Sequence, residues 1–450
     1  MVKLNLNKIA RYCLIAFWVI VIVTKIFRVP VLYYPAILIG LTGLLIGDDT
    51  YRVGFCLMLV PNIRIFDTLG FTYAVNVMMI MPLIAKIIMD RKVNTTALAH
   101  TLILMTLELA HIIYLQSFEH LLPNMAALIL LYYVETILLD RKTKINFPEI
   151  TRKFAFGSIF SAALFFIINF RVMDMRIYLQ GYRYTGYASE PNYYSLYICL
   201  AVAMIFIIRQ HKTRDYVYIG LLLFIELFTL SKMAMLTLLV IVFFVALKTV
   251  LNGFSYRTRF LKRFLVILIS AAIIFSKQII DLASNTIIRF RELNGTAIDL
   301  DSITTLRSSL MTFYLNLLVS DPFLILFGYG MQYNEIVGRN LSHNTFLDII
   351  LSWGIPGVFL FFAIFFTITR RLLSNCPERI SVDHFFPMFI LVLTFFALSC
   401  LSASMFWWVI LAAFLPLKGI VYEDQRAFLV GDSTGVQRRK IRLRVRRVAH

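Results

Sequence analysis

One histidine stands where proton-transfer chemistry is feasible. His343 sits in a Ser-His-Asn step inside FGYGMQYNEIVGRNLSHNTFLDIILSWGIPG, residues 327–357, where a glycine-rich polar segment turns into an apolar helix. An imidazole with an ordinary pKa of about 6.5 can take a proton from an attacking hydroxyl near neutral pH. At a water–lipid boundary it can do so beside a reactive head that projects from a bilayer. The competing structural role is to cap the following helix or bond a backbone carbonyl. Asn344 likewise either orients an acceptor or caps that helix. A second group offers anion chemistry. Arg171, Arg176 and Arg183 crowd residues 171–191, and Arg289, Arg291, Arg307 and Arg339 lie in residues 281–343. Guanidinium groups stay protonated and grip phosphate oxygens two at a time. Their structural alternative is pairing with Asp174, Asp281, Glu292, Asp299 and Asp301, or contact with lipid headgroups.

The elements that position these residues must find their solvent in a bilayer. The 450 residues are 60% hydrophobic, against about 45–50% in soluble domains. Apolar stretches near the length of the hydrocarbon core recur with short connections, beginning near residues 9, 31, 53, 70, 97, 121, 154, 192, 216, 233, 264, 344, 385 and 405. The expected fold is therefore all-α, a polytopic membrane helix bundle of about 14 spans. The first span, Ile9 to Phe27, follows Lys3, Lys8 and Arg11 without a small-residue cleavage site, and is expected to be a retained helix. Pro61 and Arg64 interrupt residues 54–66. Parity still requires a crossing there, because otherwise the basic loops on either side fall on opposite faces.

With the amino terminus inside, most of the 44 Lys and Arg residues fall in cytoplasmic segments, as the positive-inside rule demands. Residues 1–420 are expected to form the integral membrane domain, with outer loops 171–191 and 281–343 building the site. Residues 421–450 are expected to form a basic cytoplasmic tail, whose RRKIRLRVRR run (438–447) lies on the anionic inner leaflet. Cations placed outside against that bias point to an anionic ligand. The net charge of +19 is explained by phospholipid, and no nucleic-acid partner is expected. The five cysteines lack paired spacing, so neither a disulfide nor a thiol-held metal is expected. In the long outer loop, TLRSSLMTFYLNLLVSDPF (305–323) places Leu306, Leu310, Phe313, Leu317 and Leu318 at helical spacing. It is expected to be an amphipathic helix ended by Asp321-Pro322.

Several other residues receive structural expectations. Glu108 and His111 share one face of a span and Glu226 lies within another, which calls for interhelical hydrogen bonds more than a proton relay. Asp299-Leu300-Asp301 has a metal-holding form used with nucleotide sugars, but those are cytoplasmic and this loop faces out. Tyr182, Tyr184 and Tyr187 flank Arg183 as candidate sugar-stacking rings.

Three stretches resemble the O-antigen polymerase and O-antigen ligase superfamily. YRYTGYASEPNYYSLY (182–197) is similar to its outer loop of Arg, Gly and Pro-Asn leading into a span. LRSSLMTFYLNLLVSDPFLILFGYGMQ (306–332) is similar to its arginine-led amphipathic helix, Asp/Asn-Pro turn and Gly-x-Gly. SHNTFLDIILSWGIPGVFLFF (342–362) matches its His-Asn followed by Gly-x-x-Gly, and FTLSKMAML (228–236) is a fainter echo of a Ser-Arg/Lys turn. Together they cover residues 182–362 in order; before residue 150 only hydropathy agrees.

The resemblance implies a glycosyltransferase C-like fold. It also implies transfer of a glycan from an undecaprenyl-diphosphate carrier at the outer face of the bacterial cytoplasmic membrane, without metal, cofactor or nucleotide sugar. It assigns Arg183 and Arg307 to the diphosphate, whose leaving charge needs fixed cations, and His343 to the base that deprotonates the acceptor hydroxyl. Glu190, Asn192, Asn344 and Arg176 become candidate acceptor or substrate contacts. One displacement inverts the anomeric centre and needs one base, unlike the carboxylate pair of retaining glycosidases. Glu190 before Pro191-Asn192 is the rival base, and Glu-Pro there favours a chain-extending polymerase. The expected function is polymerisation of lipid-linked repeat units into O-antigen, capsular or exopolysaccharide, with a chain-length regulator as candidate partner. The alternatives are a ligase that delivers glycan to lipid A core, and, in another class, a secondary transporter or flippase. The last should show ionisable and helix-breaking residues at the midplane of two related halves, and no internal repeat is evident.

Overall fold

Apolar runs that must satisfy their own backbone groups become helices, and every described regular element is one. The computed structural model describes residues 6–66, 71–90, 93–140, 143, 145–169, 185–188, 190–208, 211–229, 307–375, 381–396, 398–401 and 406–433. Among them there is no strand. The α-helices are α1 (Leu6–Phe27), α2 (Tyr33–Ile46), α3 (Asp49–Leu59), α4 (Phe71–Asp90), α5 (Thr95–Leu115), α6 (Leu121–Leu139), α7 (Phe147–Asn169), α8 (Pro191–Ile207) and α9 (Thr213–Thr229). After these come α10 (Arg307–Ser320), α11 (Pro322–Phe327), α12 (Tyr333–Val337), α13 (Thr345–Asn375), α14 (Phe386–Phe395) and α15 (Phe406–Ser433).

Helices begin close to each expected start except those near residues 233 and 264, which lie outside the described residues. Five described segments are long and apolar enough to cross a membrane: Leu6–Phe27, Thr95–Leu115, Phe118–Leu139, Phe147–Ile168 and Thr345–Ser374. Only 22% of the Thr95–Leu115 window is buried within the protein, so most of that apolar surface needs a lipid-like solvent. The centre is built differently. α3, α8 and the Phe406–Leu417 part of α15 are short helices buried on all sides, as a helix apolar all round must be.

The interrupted stretch 54–66 is continuous and, Arg64 apart, buried. Asp48 caps α3 by accepting the Tyr51 N–H at 2.7 Å, and after Leu59 the chain tightens into a 3-10 helix, Val60–Phe66. Proline suits that change because it lacks the N–H a continuing α-helix would need. The 11 residues of α3 and 7 of the tighter turn rise about 30 Å together.

Polar contacts gather the loops at two opposite ends. At one end Asn7 donates to Asp48 (2.9 Å), the Asn146 N–H to Thr50 Oγ1 (3.0 Å) and Lys418 to the Asp140 carbonyl. Arg152 holds Asp215 through two bonds of 2.7 and 2.8 Å there. At the other end the Arg64 N–H meets the Tyr187 carbonyl (3.1 Å), and Ser161 Oγ receives the Tyr187 N–H (2.8 Å) while donating to Pro61 O (2.7 Å). His120 pairs with Glu335 there at 3.0 Å.

The amphipathic segment forms α10, with Leu310, Phe313, Tyr314, Leu317 and Leu318 turned inward. Asp321 ends it and caps α11, accepting from the Phe323 and Leu324 N–H groups at 3.0 and 3.3 Å. α15 continues helical to Ser433, past the boundary expected at residue 420; the RRKIRLRVRR run lies outside the described residues.

Candidate functional site

His343 adopts a left-handed backbone, φ 56°, which costs a residue with a Cβ about 1–2 kcal/mol and persists only where its surroundings impose it. The surroundings are a ring of hydroxyls. The Ser342 N–H donates to the Tyr333 hydroxyl (3.1 Å), the His343 N–H to Ser399 Oγ (2.7 Å) and the Asn344 N–H to Ser342 Oγ (3.1 Å). Each of those three hydroxyls in turn meets Oδ1 of Asp348: Ser342 at 2.5 Å, Ser399 at 3.2 Å, and Tyr333. Asp348 lies in the first turn of α13 and is 1% exposed. Its other oxygen, Oδ2, is buried without a hydrogen-bond partner among the described residues. Asn344 accepts the Leu347 N–H at 3.1 Å, so its side chain caps α13.

A second motif reaches the same place. Glu190 is exposed at the N-cap of α8, Pro191 begins the helix, and Asn192 is buried. The Tyr193 hydroxyl donates to the Ser399 carbonyl, while Thr345 donates to the Leu398 carbonyl at 2.5 Å and accepts the Cys400 N–H at 3.0 Å. Residues 398–401 therefore bridge Tyr193, in the first turn of α8, and the His343–Thr345 segment.

Arg183 and Arg176 lie outside the described residues, as do Arg171, Arg289, Arg291, Tyr182, Tyr184 and Asp299-Leu300-Asp301. Arg307 opens α10, and only its backbone is described. α10 docks beside the site through Tyr314, which donates to Asn340 O (2.6 Å) and stands edge-on to Tyr333 at 5.5 Å. Tyr314 is seven residues on from Arg307, about 10 Å along the axis. Arg339 lies over the Phe313 ring at 5.2 Å, a cation–π contact. Tyr187 is 7% exposed and packs edge-on against Phe165 at 5.3 Å. That corrects its candidacy as a sugar-stacking ring, because the ring is buried with Lys25 over its face at 5.7 Å.

The glycine-rich segment is a clasp. α13 breaks at Gly354, φ 62°, which frees carbonyls of the preceding turn. The Tyr329 N–H takes that of Leu351 at 2.7 Å and the Gly330 N–H that of Ser352 at 2.8 Å. Glu108, 1% exposed, anchors the clasp by accepting from Asn124 (2.6 Å), Trp353 Nε1 (2.9 Å) and the Met331 N–H (3.2 Å). It is the interhelical hydrogen-bonding group its position called for. The Tyr329 hydroxyl holds the Asp321 carboxyl below the usual carboxylate range across a 2.5 Å bond. The same bond pushes Tyr329 up to about 12, and burial pushes Tyr314 up to about 12. Burial raises Tyr333 too, so all three hydroxyls stay protonated donors near neutral pH.

Asp348, Tyr333 and Ser399 were not singled out from sequence. Asp348 had a signal, since a carboxylate inside an apolar span is costly enough to need partners. Ser399 had none.

No protein-family model matches the chain, and no curated protein matches it. Fold and site together define an all-helical protein, compatible with a membrane bundle, that carries an ordered Ser-His-Asn step at one end.

Proposed function

We propose that this protein is a metal-independent, inverting glycosyltransferase that polymerises undecaprenyl-diphosphate-linked repeat units at the outer face of the cytoplasmic membrane. The observation that carries the reading is the fixed left-handed step at His343, joined through Ser399 to Tyr193 at the start of α8, next to the Glu190–Asn192 turn. Two stretches, far apart in the chain, that resemble the polymerase and ligase superfamily thus share one bridge. His343 accepts the proton of the attacking sugar hydroxyl, and Arg307 with Arg183 stabilises the departing diphosphate. Glu190, exposed at the helix start, is free of apolar packing and suits an acceptor contact. It also favours chain extension over ligation to lipid A core.

The broken helix at Gly354 has the outline of a transporter's discontinuous span. Its Leu351 and Ser352 carbonyls, however, are engaged by the Tyr329 and Gly330 N–H groups, which weighs against an ion site there. The test is incubation of the purified chain with lipid-linked repeat units. Lengthened glycan that vanishes in His343→Ala supports the proposal. Transfer only when lipid A core is supplied would establish the ligase instead, and movement across vesicles without new linkages the transporter.

A further inference from the structure

We infer that Asp348 is the positioning residue for the His343 step, acting through the hydroxyls of Tyr333, Ser342 and Ser399. The inference deepens the proposed role of His343, but its geometry stands apart from any substrate. Three consecutive backbone N–H groups, those of Ser342, His343 and Asn344, are each received by a different hydroxyl. All three hydroxyls converge on one carboxylate oxygen. A backbone held at three successive amides has little freedom left, which is what a left-handed histidine requires.

A buried carboxylate with one oxygen lacking a partner among the described residues is costly. Capping alone does not call for an acceptor here, because Asn344 already caps α13. Oδ1 instead orients the hydroxyls. With its proton committed to Asp348, the Ser399 oxygen presents a lone pair to the His343 N–H, and Tyr333 presents one to the Ser342 N–H. An apolar residue at 348 would release those hydroxyls to turn. The carboxylate thereby fixes the direction of the His343 Cα–Cβ bond, and so the point from which the imidazole extends.

The test is a rate that needs no substrate: carbethoxylation of each histidine by diethyl pyrocarbonate in the purified full chain, followed by peptide mass spectrometry. Asp348→Leu is expected to speed modification of the half-buried His343 roughly tenfold, the weight of one hydrogen bond. Rates at His100 and His120 should hold. Asp348→Asn, which keeps an acceptor oxygen, should stay near the native rate. Ser399→Ala removes a single hydroxyl and should raise the His343 rate, while Ser399→Thr restores it.

An unchanged His343 rate in Ser399→Ala overturns the inference, and that variant decides should Asp348→Leu fail to fold. In a chain-extension assay Ser399→Ala should lower kcat and leave KM for the lipid-linked donor unchanged. A native protein that never lengthens glycan removes the proposed function, yet the modification rates still decide the positioning role.

Discussion

Gly328 and Gly354 each press against the backbone that flanks the other. A Cβ on Gly328 would lie 2.4 Å from the Ser352 carbonyl carbon, and one on Gly354 would lie 2.5 Å from the Leu326 carbonyl oxygen. Both residues have positive φ, 76° and 62°. The expected result is that Gly354→Ala lowers stability by about 3 kcal/mol, left-handed strain plus a backbone clash that no side chain can relieve. Thermal unfolding in detergent measures it. A variant as stable as the native protein would show that the clasp is not rigid.

Glu108 is expected to be the costliest polar residue to truncate within the bundle. Glu108→Ala leaves Trp353, Asn124 and the Met331 N–H without their acceptor, a loss of about 3 kcal/mol. Glu108→Gln keeps one acceptor oxygen and should lose less. Denaturation midpoints of the two variants against native protein give the comparison, and equal losses would contradict the acceptor argument.

Replacing His343 separates chemistry from backbone. Under the proposed function His343→Ala and His343→Gly both lose chain extension by about 100-fold or more, since each lacks the base. Glycine suits the left-handed conformation, so His343→Gly should be the more stable of the two by about 1 kcal/mol. Glycan laddering reads the first effect and melting temperature the second. Alanine proving the more stable would argue against the observed φ.

The Asp321–Tyr329 bond sets an acid-side dependence. The Asp321 carboxyl has a lowered folded pKa, so its contribution is fully present above the unfolded carboxylate value of about 3.9 and fades as pH falls through the folded value. Tyr329 has a raised pKa, about 12, so its contribution is complete below the ordinary tyrosine value of about 10 and is lost as pH climbs through the raised one. Tyr329→Phe should therefore be less stable than native protein at pH about 6, and the gap should close in acid near pH about 2. A gap that widened in acid would reverse the sign and refute the assignment.

Arg307 tests the diphosphate assignment. Arg307→Lys keeps charge but loses the planar two-point grip, and should reduce chain extension about tenfold; Arg307→Ala should reduce it further. If lysine restores full activity, a diffuse positive charge is all the position supplies.

Much of the scaffold was legible because its determinants are local. Apolar runs, the basic segments between them and the Asp321-Pro322 stop lie within single stretches of chain, and the helices of α5 and α6 begin where those patterns place them. Tyr187 was misjudged because its surroundings come from Phe165 and Lys25, which no neighbouring sequence announces.

By itself the sequence determined an all-helical chain with membrane-length apolar helices, and it singled out the Ser342–Asn344 step as the place for chemistry. Only the tertiary structure decided that His343 is held left-handed, and by what: a tyrosine at 333, a carboxylate at 348 and a serine at 399. Helix formation is written residue by residue, because backbone groups in an apolar solvent must bond within their own segment. A hydrogen-bonded hub is not, since its members meet only after the helices have packed.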